Sequence, residues 1–120
     1  MRLDHVNLCV PEGGVDAETE WLVDILGYRH VEPGPDIARL GTVYWFEADD
    51  GTQVHLTVDP EHHPSARAHT AIHLGDDLDA VVAKVEARGQ EPFSITNDGR
   101  RQVFAKDPAG NLWELVGPPS

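Results

Sequence analysis

The chain has 120 residues, 40% of them hydrophobic, a formal net charge of −12 and one cysteine. That length fits a single domain with a modest core, and so acidic a surface repels nucleic acid and anionic membranes, which excludes both as partners. The lone Cys9 excludes an internal disulfide and a thiolate-cluster zinc site. No apolar run reaches membrane-spanning length and no charged-then-apolar leader opens the chain, so a soluble cytoplasmic protein is expected.

Residues 3–10 alternate polar and apolar side chains, the two-residue period of a half-buried strand. Glu18–Leu26 follows as a helix, with Trp21, Leu22, Ile25 and Leu26 on one face and Gly27 as its stop signal. Strands are expected over Ala38–Glu47 and Gln53–Val58, joined by the turn Asp49, Asp50, Gly51. Residues 60–68 have linker composition. The plan then repeats: a strand over 69–74, a helical stripe of Leu78, Val81, Val82 and Val85 opened by Asp76 or Asp77 and closed by Gly89, then strands over Arg101–Lys106 and Leu112–Val116. The stretches between Gly27 and Ala38 and between Gly89 and Arg100 should each hold one short strand. The expected organisation is one domain over 1–120, with a first module over about 1–59, the linker, and a second over about 69–120.

The two modules repeat one another in sequence. HVNLCV at 5–10 matches HTAIHL at 69–74, and GTQVHL at 51–56 matches GNLWEL at 110–115. His5 therefore corresponds to His69, and His55 to Glu114. Strand alternation puts His5, Asn7 and Cys9 on one face and Val6, Leu8 and Val10 on the other. His55 opposes Val54 and Leu56 in the same way, His69 and His73 oppose Thr70 and Ile72, and Glu114 opposes Trp113 and Leu115. One amphipathic helix per module covers the apolar faces. The opposite faces carry His5, His55, His69 and Glu114, and face-to-face copies would assemble a divalent-metal site of nitrogen and oxygen donors. An inward Glu114 on a mostly apolar strand is costly to bury unless paired or metal-bound.

Other side chains weigh less. His73 lies four residues beyond His69, roughly 13 Å along a strand at ~3.3 Å per residue, too far to share an ion, which makes it a pocket-wall candidate. Cys9 stands in the same relation to His5. Asn7 is close enough to His5 to hydrogen-bond a substrate or a neighbouring ligand. Together Asn7, Cys9 and His73 are the candidate pocket residues. His30, His62 and His63 read as exposed, Trp113 as core, Arg100 and Arg101 as solvated turn residues, and Asp76, Asp77 and Asp79 as helix-start charges. Trp45, Phe46 and Phe104 are expected to pack the sheet, with one of them lining the pocket.

The order and spacing of HVNL at 5–8, VHL at 54–56, HTAIH at 69–73, DDLDA at 76–80 and DPAGNLWEL at 107–115 resemble the vicinal oxygen chelate superfamily over essentially the whole chain. That group includes glyoxalase I, extradiol dioxygenases, fosfomycin-modifying enzymes and bleomycin-binding proteins. The resemblance implies an α+β fold of two tandem βαβββ modules, a U-shaped mixed sheet around a metal, and a homodimer. It places His5, His55, His69 and Glu114 on the four ligand positions of one divalent ion, with Zn, Ni, Co, Mn and Fe not distinguished. Glyoxalase I enzymes more often carry Glu where this chain has His55. The implied activity is a lyase or isomerase acting on a small oxygenated metabolite or thiol adduct through two vicinal oxygens, with Glu114 as proton-transfer base. Two alternatives stand beside it. One is an extradiol-type dioxygenase using Fe(II) on His5, His69 and Glu114, against which the short chain weighs. The other is a non-enzymatic binder that sequesters a cationic drug, against which the full ligand set weighs. Thiol transfer to fosfomycin lacks the extra basic and potassium-binding features that would favour it.

Overall fold

The computed structural model describes residues 1–119. It is α+β and divides into two compact units, Met1–His63 and a second beginning at Pro64. The division falls within the stretch of linker composition. Each unit is a βαβββ module with its own four-stranded mixed sheet.

In the first unit β1 (His5–Val10) runs parallel to β4 (Gln53–Val58), and β3 (Tyr44–Glu47) and β2 (Arg29–Val31) continue the sheet antiparallel, giving the order β1-β4-β3-β2. In the second, β5 (His69–His73) runs parallel to β8 (Leu112–Val116), followed by β7 (Arg100–Lys106) and β6 (Phe93–Asn97), in the order β5-β8-β7-β6. The first strand of each unit thus pairs with the last. A parallel pair needs a long crossover, and each module places its helix there.

Alternation along the strands sets which side chains are buried. Val10, Phe46, Val54 and Leu56 are buried in the first sheet, with Trp21, Leu22, Ile25 and Leu26 from the helical segment. Val103, Ala105, Trp113 and Leu115 are buried in the second, with Leu78, Val81, Val82 and Val85 from α3 (Leu78–Ala87). That helical stripe repeats at the three- and four-residue spacing of one helix face. Gly27 and Gly89 end the two helical segments at φ of 87° and 86°, a region open to glycine at little cost.

Two segments depart from the expected elements. The first helix begins early, as α1 (Val15–Glu20), and continues as a π-helical turn over Trp21–Ile25, in which Leu26 N–H reaches the Trp21 carbonyl at 3.0 Å. The widened turn keeps all four members of the apolar stripe buried. β3 starts only at Tyr44, because Pro35–Ala38 forms a short helix, α2, with proline at its first turn. Gly41 then takes a φ of 140° and breaks the chain before the strand. No helix among the described residues is long and apolar enough to cross a membrane.

Candidate metal centre

Each sheet keeps one face for its helix and presents the other. On the presented face of the first, the parallel register sets Asn7 beside His55 and His5 beside Gln53. The antiparallel neighbour sets Trp45 against His55 and Glu47 against Gln53. The result is a stack of three rings. His55 lies 4.0 Å from His5, centroid to centroid, with planes 18° apart, and 4.2 Å from Trp45 with planes 4° apart. His55 is half-buried, and this desolvation, with the neighbouring His5 second, pulls its pKa below the usual imidazole range, while Asp4 opposes the shift. A lowered pKa keeps the ring neutral, as a metal ligand must be.

His5 is oriented from outside the stack. Its Nδ1 donates to Asp4 Oδ2 at 2.8 Å, and this bond, the largest influence on Asp4, holds that carboxyl below its ordinary pKa. The hydrogen bond leaves His5 Nε2 open. An imidazole tied through one nitrogen to an oxygen acceptor, with the other free, is the common posture of a ligating histidine.

On the second sheet Glu114 takes the place of His55. Its neighbours are Ala71 on β5 and Phe104 on β7, as Asn7 and Trp45 flank His55. His69 Nδ1 donates to the Arg67 carbonyl at 2.9 Å, and its Nε2 faces Glu114 Oε1 at 3.3 Å. Ser65 Oγ shapes that approach by accepting the Arg67 and Ala68 N–H groups at 3.1 and 3.0 Å. Gln102 Nε2 donates to the second carboxylate oxygen at 2.9 Å. The Glu114 side chain is only 14% exposed, so its charge needs a partner. Because His69 Nδ1 already carries a proton to a carbonyl, Nε2 and Oε1 attract each other only across a second proton or a shared cation.

These residues fit a divalent ion by chemistry: three imidazoles, a carboxylate and no thiolate suit Zn, Ni, Co, Mn or Fe. Donors about 2.1 Å from one ion at neighbouring positions stand roughly 3 Å apart, close to the His69–Glu114 separation. The four predicted ligands occur as two pairs, each within its own unit: His5 with His55, and His69 with Glu114. No group of three or more His, Cys, Asp or Glu side chains able to hold an ion is found among the described residues.

The predicted pocket residues lie along the same strands. Asn7 is exposed and accepts a hydrogen bond from Thr57 Oγ at 3.0 Å. Cys9 is half-buried beside Thr57, and His73 is exposed beside Val116. Of the three aromatics, Phe46 is fully buried on the helix side, while Trp45 and Phe104 stand on the faces of the candidate ligands. Arg101 is not free in a turn: it extends from β7, and its guanidinium donates to Asp79 Oδ1 at 2.5 Å. Sequence reading missed Gln53 and Gln102, the two amides that touch His55 and Glu114. The available signal was parity, since Gln53 lies two residues before His55 on an alternating strand.

The family model described as Glyoxalase/Bleomycin resistance protein/Dioxygenase superfamily matches residues 2–115. No curated protein sequence matches the chain. Among solved structures, a glyoxalase family protein from Bacillus anthracis superposes with a TM-score of 0.80 at 21% identity, covering 98% of this chain and 95% of that one. The fosfomycin resistance protein FosX from Listeria monocytogenes gives 0.75 at 16% identity, covering 98% and 93%. A lactoylglutathione lyase from Agrobacterium tumefaciens gives 0.70 at 20% identity, covering 97% and 92%. At these identities the likeness is one of fold, and one fold carries many activities.

Proposed function

The chain belongs to the Glyoxalase/Bleomycin resistance protein/Dioxygenase superfamily, and from that premise we propose that it is a divalent-metal-dependent lyase or isomerase acting on a small oxygenated metabolite or thiol adduct. One observation carries the reading. At matching register positions of the two sheets stand His5 and His69 on the first strands and His55 and Glu114 on the last, each set a contacting pair.

His5, His55, His69 and Glu114 would hold the ion. When bound, it supplies Lewis acidity to two adjacent substrate oxygens as negative charge develops on them. Glu114 is the only carboxylate of the four and the natural proton carrier, taking a proton from a substrate carbon and returning it. Gln102 keeps one of its oxygens engaged and so aims the other. Trp45 and Phe104 give the two faces an apolar lining that sheds water around the reacting atoms.

A second reading, an Fe(II) extradiol-type dioxygenase, has one specific observation in its favour. His5 leaves its Nε2 open and His69 turns its Nε2 toward Glu114, whereas His55 uses its Nε2 in a hydrogen bond to Gln53. That asymmetry suits a triad of His5, His69 and Glu114 with His55 outside it.

The test is metal analysis of protein purified without an affinity tag, followed by assays with the matched metal, on wild type and Glu114→Gln. The lyase or isomerase reading expects weaker metal retention in the variant. At saturating metal it also expects a turnover loss on the order of 10²–10⁴-fold, the usual contribution of a general base. For the dioxygenase, oxygen consumption tracks iron content in both proteins. Absence of metal from both proteins, with binding of a cationic drug unchanged by the substitution, would overturn both readings in favour of a sequestering protein.

A further inference from the structure

Each of the three imidazoles is oriented by a hydrogen bond at one ring nitrogen, but not at the same one. His5 Nδ1 meets a carboxylate and His69 Nδ1 meets a carbonyl. Both partners only accept, so both rings carry a proton on Nδ1; Nε2 of His5 is left open and Nε2 of His69 faces Glu114 Oε1 at 3.3 Å. His55 is reversed, with Nε2 2.8 Å from Gln53 Oε1.

The orientation of that amide is dictated from its far end. Gln53 Nε2 donates to Glu47 Oε1 at 2.9 Å, and a carboxylate would repel the oxygen end. Glu47 is itself held by Arg29, whose Nη2 donates to Glu47 Oε2 at 3.3 Å and whose Nη1 donates to Asp49 Oδ1 at 2.7 Å. The Gln53 oxygen must therefore face His55, and an oxygen requires an N–H there. The ring cannot tilt away, because His5 and Trp45 cover its two faces and leave only contacts in its plane.

This relay exists because β3 and β4 pair in a register that sets Glu47 against Gln53. The matching pair in the second unit is Lys106 and Leu112, which cannot form it. The asymmetry is thus written into one copy of the repeat.

We propose that Gln53 is a positioning residue that holds His55 as the Nε2–H tautomer, so that Nδ1 is the atom His55 presents to a cation, whereas His5 and His69 present Nε2. The part that concerns metal rests on the four-ligand reading of the site; the tautomer does not.

The experiment uses nitrogen-labelled full-length protein and long-range proton–nitrogen spectra of the imidazole rings. They are recorded without metal, at a pH where the rings are neutral, on wild type and Gln53→Leu. Leucine occupies the matching position as Leu112, so a strand of this kind accepts it. Wild-type His55 is expected as a single Nε2–H tautomer, and Gln53→Leu is expected to redistribute it. A wild-type His55 protonated on Nδ1, or a tautomer unmoved by the substitution, overturns the proposal even if the variant folds poorly, since the first result needs wild type alone. Calorimetric titration with Zn²⁺ then reads the metal part. Gln53→Leu is expected to weaken binding by about 10–100-fold, the usual effect of losing a group that orients a ligand. Unchanged or tighter Zn²⁺ binding overturns that part. A wild-type protein that takes up no Zn²⁺ removes the four-ligand reading, while the metal-free spectra still decide the tautomer.

Discussion

Asp107 shows how one buried carboxylate organises a turn. It is 4% exposed; Oδ1 accepts the Ala109 and Asn111 N–H groups at 3.0 and 2.9 Å, and Oδ2 accepts the Trp113 indole N–H at 3.0 Å. The turn delivers β8 with Trp113 facing the core and Glu114 facing away. Asp107→Asn keeps one acceptor oxygen but sets an amide N–H against the indole N–H. It should cost about 1–3 kcal/mol of unfolding free energy in denaturant melts, the price of a buried polar group left unsatisfied. Tyr28 makes a second residue-scale prediction. Burial, with the Asp50 charge second, pushes its hydroxyl up to about 12. A group whose folded pKa is raised contributes stability that is complete below its unfolded value of about 10 and is lost as pH climbs through the folded value. Unfolding free energy should therefore fall between about pH 10 and 12, and Tyr28→Phe should remove that part of the decline.

At the scale of elements, β8 is two strands in one. Trp113 and Leu115 face the helix and are fully buried, while Glu114 between them faces the candidate site. Leu115→Ala should cost about 2–5 kcal/mol by opening a cavity, measured by thermal or denaturant unfolding, with the metal content of the folded fraction unchanged. This alternation is also why so much was legible in the sequence. A two-residue period fixes the face of every side chain on a strand once one face is known to be apolar, so His5, His55, His69 and Glu114 could be assigned to presented faces from their neighbours alone. The α3 stripe was legible for the same reason at a different period. Other features were not. The π-helical turn at Trp21–Ile25 depends on how the helix seats on its sheet, and the short helix at Pro35–Ala38 is set by proline and glycine chemistry within a stretch read partly as strand. The Glu47–Gln53–His55 relay depends on the register between β3 and β4, which no single strand encodes.

For the molecule as a whole, the repeat and the charge bear on assembly. Among the described residues each four-stranded sheet ends on strands that pair on one side within their sheet, and such edges are covered in most proteins. A chain with a net charge of −12 repels its own copies, and bound divalent cations reduce that repulsion. A homodimer is expected once metal is present. Light scattering of the metal-loaded protein at about micromolar concentration should return twice the chain mass of 13.2 kDa. A metal-loaded monomer would instead rule out a site shared between two copies, with His5 and His55 from one and His69 and Glu114 from the other.

The ring stack on the first sheet gives this protein an optical property of its own. Of its three tryptophans, Trp21 and Trp113 are buried, and only Trp45 lies face to face with a candidate ligand, 4.2 Å from the His55 ring. An open-shell cation such as Ni²⁺ or Co²⁺ held by His55 would sit close enough to the indole to drain its excited state. Closed-shell Zn²⁺ at the same place, having no accessible d-electron transitions, would leave the emission nearly intact. Intrinsic fluorescence should therefore dim on loading with Ni²⁺ but not with Zn²⁺, and Trp45→Phe should abolish most of the difference. Equal dimming in wild type and variant would place the ion away from His55.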